Sequence, residues 1–288
     1  MQTGYHRKIA WLAGLVAMAP LPAIAQDAGS PAAPAITSGP PPAGGSDQDL
    51  ALQLSNPVAS LISVPFQENL DFGAGDDGIK STLNIQPVVP FSLNADWNII
   101  SRTIVPVVWQ DDIFPGAGSQ SGVGDVVQSV FFSPKAPTAG GLIWGVGPVL
   151  LIPTGSDDLL TQDQWAAGPT AVALRQENGW TVGALANHLW SLEGNPADDR
   201  ERVNTSFIQP FLSYTTQTYT TVGINTESVY DWQSKEWSVP VNLTVTQLLK
   251  VAGQPLTLQV GPRYWLDSSE NGPEGWGARA ALTLLFPK

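Results

Sequence analysis

Residues 237–246 read Trp-Ser-Val-Pro-Val-Asn-Leu-Thr-Val-Thr, and this stretch decides the fold. Trp237, Val239, Val241, Leu243 and Val245 share one face of an extended chain, and Ser238, Asn242, Thr244 and Thr246 share the other. Successive side chains of a strand point to opposite sides, so this alternation marks a strand with one apolar and one polar face. The next two segments repeat it. Leu256, Leu258, Val260, Tyr264 and Leu266 oppose Thr257, Gln259, Gly261 and Arg263. Ala278, Ala280, Leu282, Leu284 and Phe286 oppose Gly277, Arg279 and Thr283. No long 3.6-residue periodicity competes with it.

Working back from this stretch, the pattern predicts twelve strands: 58–71, 79–92, 97–110, 123–135, 141–154, 165–177, 180–193, 202–216, 219–231, 236–251, 256–267 and 275–286. Their connectors sort by length. Asn94-Ala95-Asp96, Asn178-Gly179, Gln217-Thr218 and 252–255 are short, whereas 72–78, 111–122, 155–164, 194–201, 232–235 and 268–274 form the other set. An even strand count with short turns at one end and longer loops at the other predicts an all-β fold, a single 12-stranded antiparallel transmembrane β-barrel of the outer-membrane type. The barrel occupies 57–288, with both termini at the periplasmic end. A soluble secreted β-sandwich is the fold-level alternative, and it gives no reason for connectors to sort this way.

Composition agrees. Charged residues make up 13% of the 288, about half the roughly 25% usual in soluble domains. Mean hydropathy is +0.01, too low for a bundle of membrane helices. There is no cysteine, so disulfides, thiolate metal sites and a cysteine nucleophile are excluded. A formal charge of −12 excludes the basic footprint that nucleic-acid binding needs.

The N-terminus reads as a secretory signal over 1–25. His6, Arg7 and Lys8 precede a short apolar run, and Ala23-Ile24-Ala25 supplies small residues before Gln26. The run is too short for a membrane span and is broken by Pro20 and Pro22. Cleavage removes Arg7 and Lys8 and no acid, taking −12 to −14. Residues 26–56 read as a Pro/Ala/Gly-rich spacer ending in a short helix, capped by Ser46 or Asp47 and stopped at Asn56-Pro57. That helix either plugs the barrel or lies at the membrane surface.

Tryptophans gather at strand ends. Trp97, Trp165, Trp180, Trp237 and Trp276 fall at strand starts; Trp109, Trp190 and Trp232 fall at or just beyond ends, and Trp144 and Trp265 lie within a few residues of one. Membrane barrels carry such aromatic girdles at both interfaces. One feature fits poorly. Pro65, Pro87, Pro106, Pro148, Pro169, Pro210, Pro240 and Pro262 fall inside predicted strands. A proline removes a ladder donor and belongs at an edge or bulge, so bulges or narrow places are expected there.

Several strings occur together: Asn56-Pro57-Val58-Ala59-Ser60-Leu61-Ile62-Ser63-Val64-Pro65-Phe66-Gln67, Leu83-Asn84-Ile85-Gln86-Pro87, Asp112-Ile113-Phe114-Pro115-Gly116, Phe131-Phe132-Ser133-Pro134-Lys135 and Ala184-Leu185-Ala186-Asn187-His188. From Asn56 to Lys288 the chain resembles a large family of bacterial outer-membrane transporters. That family is grouped with barrels linked to the meta-pathway of phenol degradation, and some members carry the misleading label neuromedin U. The resemblance implies an outer-membrane barrel admitting small hydrophobic or aromatic compounds. Barrel-assembly machinery usually reads a last strand closing on an aromatic residue, whereas here Pro287 and Lys288 follow Phe286.

The same parity places Arg263, Arg279, Arg102, Arg175, Glu227 and Asn225 on the lumen side. An arginine facing lipid costs roughly 2–4 kcal/mol at the midplane, which favours the lumen. Such residues would form a constriction that selects solutes by charge, or they pair with Glu227 or Asp267 and fill a narrow barrel. Asp76-Asp77, Asp111-Asp112, Asp157-Asp158 and Asp198-Asp199 fall in the longer loops, either bridging cations to lipopolysaccharide or simply solvated. His188 is the one histidine beyond the signal. A hydrolase would need it beside a nucleophile and an orienting group, but Asn187 and Ser191 are its sequence neighbours and its parity faces outward. No second histidine supports a metal site.

The residues therefore predict a non-enzymatic outer-membrane channel for passive passage of small solutes, with no cofactor and no metal. Expected partners are outer-membrane lipid, lipopolysaccharide, the barrel-assembly machinery and the solute. A structural or adhesive barrel acting through its acidic loops is the alternative, and an outer-membrane lipid hydrolase is a further one.

Overall fold

The alternation becomes an inside and an outside. A computed structural model describes residues 47–75, 78–114, 116–192, 202–270 and 272–287. The predicted signal, most of the spacer and the acidic pairs Asp76-Asp77 and Asp198-Asp199 lie outside the described residues. A short helix, α1 (Asp47–Leu54), precedes fifteen strands. These are β1 (Ile62–Ala74), β2 (Gly78–Ile85), β3 (Val88–Ser92), β4 (Trp97–Asp111), β5 (Ser119–Val123), β6 (Val126–Pro134), β7 (Leu142–Ile152), β8 (Ala166–Glu177), β9 (Trp180–Ser191), β10 (Asn204–Thr215), β11 (Thr220–Thr226), β12 (Ser228–Asp231), β13 (Glu236–Val251), β14 (Gln254–Asp267) and β15 (Gly275–Phe286).

Every pairing is antiparallel. β15 pairs with β1, and β9 pairs with β10, so the sheet closes on itself. β2 and β3, β5 and β6, and β11 and β12 each lie end to end against common neighbours, so the fifteen strands make twelve crossings. The tight connections behave as their residues require. Asn178 and Gly179 both have positive φ (51° and 84°), as do Ala252 and Gly253 (48° and 84°). These are the values of the two-residue turns that match strand twist.

The in-strand prolines prove to be where the ladder is interrupted. Pro65 faces the break between β2 and β3, where the Gln86 N–H donates to its carbonyl at 2.9 Å. Pro87 lies within that break. Pro106 faces the break between β5 and β6, where Gly124 N donates to its carbonyl at 2.9 Å. Pro210 and Pro240 flank the break between β11 and β12, which falls at Glu227. Pro148, Pro169 and Pro262 each follow a glycine, and there the pairing to one neighbour skips residues. At Gly261 a Cβ would strike the Leu243 carbonyl, so only glycine allows that approach. A missing donor thus meets a strand that has already turned aside, which is how a barrel without edges holds eight such prolines.

Outward residues are apolar and exposed, among them Val182, Val222, Ile224, Leu243, Val245, Leu258 and Val260. Two groups interrupt this wall. Ser81 Oγ donates to outward-facing Glu68 at 2.7 Å, and outward-facing Gln128 bonds Ser101 and Thr103 at 3.0 and 2.6 Å. Tryptophans ring both ends. Trp97 stacks edge-on with Trp144, and Trp180 meets Tyr214 at the short-turn end. Trp109, Trp165, Trp190, Trp232, Trp237 and Trp276 lie at the long-loop end.

The interior has two characters. Inward side chains of β4, β6, β8 and β9 form an apolar cluster of Ile100, Phe131, Val172, Leu174 and Leu185, joined by Val58. Taking each such side chain from water contributes roughly 1.5–3 kcal/mol. The opposite wall, from β10 through β15 to β1 and β2, is polar. The segment before β1 folds into the barrel at the short-turn end. Leu50 and Ala51 pack against Leu248 and Leu285. Lys250 pairs with Asp47 at 2.5 Å, and Gln176 Nε2 donates to the Leu52 carbonyl at 2.8 Å. Asn98 Nδ2 donates to Ser60 Oγ at 2.7 Å. The apolar residues of the predicted helix thus meet the barrel interior rather than its outer surface.

Candidate functional site in the barrel lumen

Strands β1, β14 and β15 and the break between β11 and β12 deliver a connected set of charges to the lumen, and β10, β11 and β13 add amides to it. The break at Glu227 releases it from the ladder, and its carboxylate accepts from three sides. Arg279 Nη1 and Nη2 donate to it at 3.0 and 2.6 Å, Arg263 Nη1 at 3.2 Å, and Gln209 Nε2 at 3.4 Å. Arg279 is fixed from behind by Asn69, whose Oδ1 accepts from Nε at 2.7 Å. Arg263 pairs through Nε with Asp71 at 2.8 Å and donates through Nη1 to Asn242 Oδ1 at 3.1 Å. Asn242 in turn donates to Asn225 Oδ1 at 2.8 Å. The Trp265 indole donates to Asp71 Oδ1 at 2.8 Å, and the Arg263 guanidinium lies 4.8 Å from its ring centroid. Both arginine side chains are nearly enclosed, 7% and 2% exposed. A guanidinium that far from water must be paired and hydrogen-bonded. Arg279 is bonded through all three nitrogens, whereas Arg263 is hydrogen-bonded through Nη1 and only ion-paired at Nε.

Below this network, towards α1, lies a cavity of about 290 Å³. Its floor is the inserted segment 51–61, and its walls come from the barrel strands of the polar side. Arg102, on β4, reaches it and donates through Nη2 to Gln86 Oε1 at 2.9 Å. Lys80 lies directly across from Asp71 in register.

The residues predicted for the lumen divide accordingly. Arg263, Arg279 and Glu227 are brought together, Asn225 joins them through Asn242, and Arg102 lies apart on the cavity wall. Arg175 is corrected. It is exposed, at the parity opposite to buried Val172 and Leu174, so it points away from the lumen near the short-turn end. The predicted acid partner Asp267 is replaced by Asp71. Trp265 is corrected as well, since it turns inward to Asp71 instead of joining a girdle. Sequence reasoning missed Asn69, Asp71 and Lys80. Their signal was present, because Asn69 and Asp71 alternate with Leu70 and Phe72 on β1.

His188 faces outward at the long-loop end. Its partners are not its sequence neighbours but residues of β10. Nδ1 lies 2.7 Å from Ser206 Oγ, and Nε2 lies 3.1 Å from Asn204 Oδ1. The Trp232 indole donates to Ser206 Oγ at 2.9 Å, and the Trp190 ring lies against the imidazole, tilted by 46° with centroids 4.0 Å apart. No group of three or more potential metal ligands occurs among the described residues.

No protein-family model matches the chain, and no curated protein matches it in sequence. Solved structures do resemble it. An outer membrane channel from Pseudomonas putida F1 superposes with a TM-score of 0.60 at 15% identity, covering 78% of this chain and 94% of that one. The NanC porin gives 0.44 at 12% identity over 78% and 98%. Outer membrane phospholipase A from Escherichia coli gives 0.45 at 10% identity over 83% and 97%. The first of these shows that the chain shares the fold of an outer-membrane β-barrel.

Proposed function

We propose that the chain spans an outer membrane and passes small solutes with apolar or aromatic bodies passively through its lumen. The observation that carries this reading is the lumen itself: a cavity of about 290 Å³ beneath a network of fixed charges on one wall, inside a barrel whose other inner wall is apolar. Such a wall solvates an uncharged body, and the charged belt acts on whatever polar group the solute carries. Outer-membrane lipid and lipopolysaccharide solvate the exposed wall between the tryptophan rings. Passage needs no energy-coupling group and no covalent chemistry.

Single-channel recording in a planar bilayer tests this. The expected result is discrete, stable steps, in the mature chain or in one lacking residues 26–56. Arg263→Ala with Arg279→Ala is expected to change conductance and ion selectivity. Silence from both chain lengths would overturn the reading.

One observation favours a second reading, hydrolysis of a lipid ester at the outer surface. Asn204 Oδ1 can only accept, so His188 Nε2 carries the hydrogen and Nδ1 is free to take the Ser206 hydroxyl proton. Turnover of a phospholipid ester that is lost in both Ser206→Ala and His188→Ala would establish it. Equal turnover in both variants and the parent would dismiss it.

A further inference from the structure

Arg102 differs from the other lumen arginines in what surrounds it. Arg263 and Arg279 share Glu227, and Arg263 also has Asp71. Among the described residues, no carboxylate lies within ion-pair distance of Arg102, and its hydrogen-bond partner is the neutral amide of Gln86. The residues lining the cavity include many amides and hydroxyls but no aspartate, glutamate or lysine, and Arg102 is the one charged side chain among them. A guanidinium is always protonated, and the carboxylate that acts on Arg102, Glu227, lies outside the cavity lining, beyond ion-pair distance and already held by Arg263 and Arg279. Phe211, Tyr219, Val88, Leu61 and Pro57 bring apolar surface to the same space.

We propose that this cavity is a binding site for a small monocarboxylate with a compact apolar body, its carboxylate on Arg102 and its body against Phe211 and Tyr219. The inference rests on the lumen reading above and names the solute class of that same space. A planar guanidinium presents paired N–H donors that match a carboxylate, whereas Gln86 holds only one of its nitrogens. The remainder of the lining favours an apolar body, because Phe211 and Tyr219, only partly covered by the apolar clusters they pack on, offer surface that a bare anion cannot use. The volume sits at the small end of ligand sites, which limits the body to about a single ring. An aromatic ring there gains offset contacts with Phe211 and Tyr219.

The test is calorimetric titration of the folded, detergent-solubilised mature protein with benzoate, benzamide, acetate and inorganic phosphate. Benzoate is expected to bind at least tenfold more tightly than benzamide, its neutral isostere, and than acetate or phosphate, which lack the ring. Arg102→Gln is expected to remove the preference for benzoate over benzamide, with Arg102→Lys retaining part of it. Ala281→Leu, on the cavity wall, changes no charge and is expected to weaken benzoate by filling the space. Heat-modifiable migration on gels verifies that each variant is folded. Equal binding of benzoate and benzamide, binding unchanged in Arg102→Gln, or no binding by any probe would overturn the inference. Conductance of the same preparation is read separately, so an open channel that ignores benzoate defeats this inference and leaves the channel reading standing.

Discussion

Glu227 holds two guanidinium groups at once, and it can do so because the ladder is broken at its position, while Thr226 and Ser228 on either side stay paired. Pro210 and Pro240 lack the N–H groups that would have kept it in the ladder. Removing its charge leaves Arg279 with Asn69 and Arg263 with Asp71 and Asn242. Breaking a buried pair by removing one partner typically costs about 3–5 kcal/mol, because the other charge stays buried. Glu227→Gln is therefore expected to lower the urea midpoint of the barrel clearly, and adding Arg279→Met is expected to recover part of the loss. An unchanged midpoint in the single variant would show that the network is solvated rather than buried. Arg263, Arg279 and Glu227 were legible in the sequence as charges at polar parity. Arg175 was misread because parity alone does not say which face is inner near a strand end, where both faces reach water. Asp71 was overlooked because it lies close to the predicted end of its strand, where an acid reads as loop.

Strands were the best-read elements, since alternation is imposed by two different solvents on two faces. Predicted strands 97–110, 180–193, 236–251 and 275–286 correspond closely to β4, β9, β13 and β15. Where prediction and structure part, a proline is nearby. Segments 79–92 and 219–231 each became two strands, broken at Gln86-Pro87 and at Glu227. All of β5 but Val123 lies in a stretch read as loop, because Ser119-Gln120-Ser121-Gly122 carries no apolar alternation and is held to β4 by backbone pairing and by polar side chains, Gln120 to Gln110 and Ser119 to Asp111. Gly147-Pro148, Gly168-Pro169 and Gly261-Pro262 were a readable signal: a residue without Cβ beside one without a donor marks a place where strands press together and pairing skips. The helix at 47–54 was expected, but its position was open, since eight residues with Leu50 and Leu54 suit either a lumen or a lipid surface. Lys250 and Gln176, distant in sequence, decide it.

At the scale of the whole molecule, net charge misleads. The chain is strongly acidic, yet its lumen sets Lys80, Arg263 and Arg279 of the belt, and Arg102 on the cavity wall below it, against Asp71 and Glu227. The lumen thus carries two excess positive charges, one in the belt and one on Arg102, while Asp231, Glu236 and Asp267 lie at the long-loop rim. The two fields differ in exposure, so salt separates them. The Debye length falls from about 30 Å at 0.01 M to about 8 Å at 0.15 M, and exposed charges are screened before enclosed ones. At low ionic strength the acidic rim draws cations to the mouth and opposes the belt. Raising the salt silences the rim first and leaves the arginines to act on ions already inside. The anion share of the current, measured as reversal potential across a salt gradient, is therefore expected to rise between 0.01 and 0.15 M. Asp231→Asn with Asp267→Asn should raise it at low salt without further addition, and Arg102→Gln should lower it at the higher salt. An anion share that falls steadily with salt, or ignores the rim variants, would mean that the belt does not set selectivity.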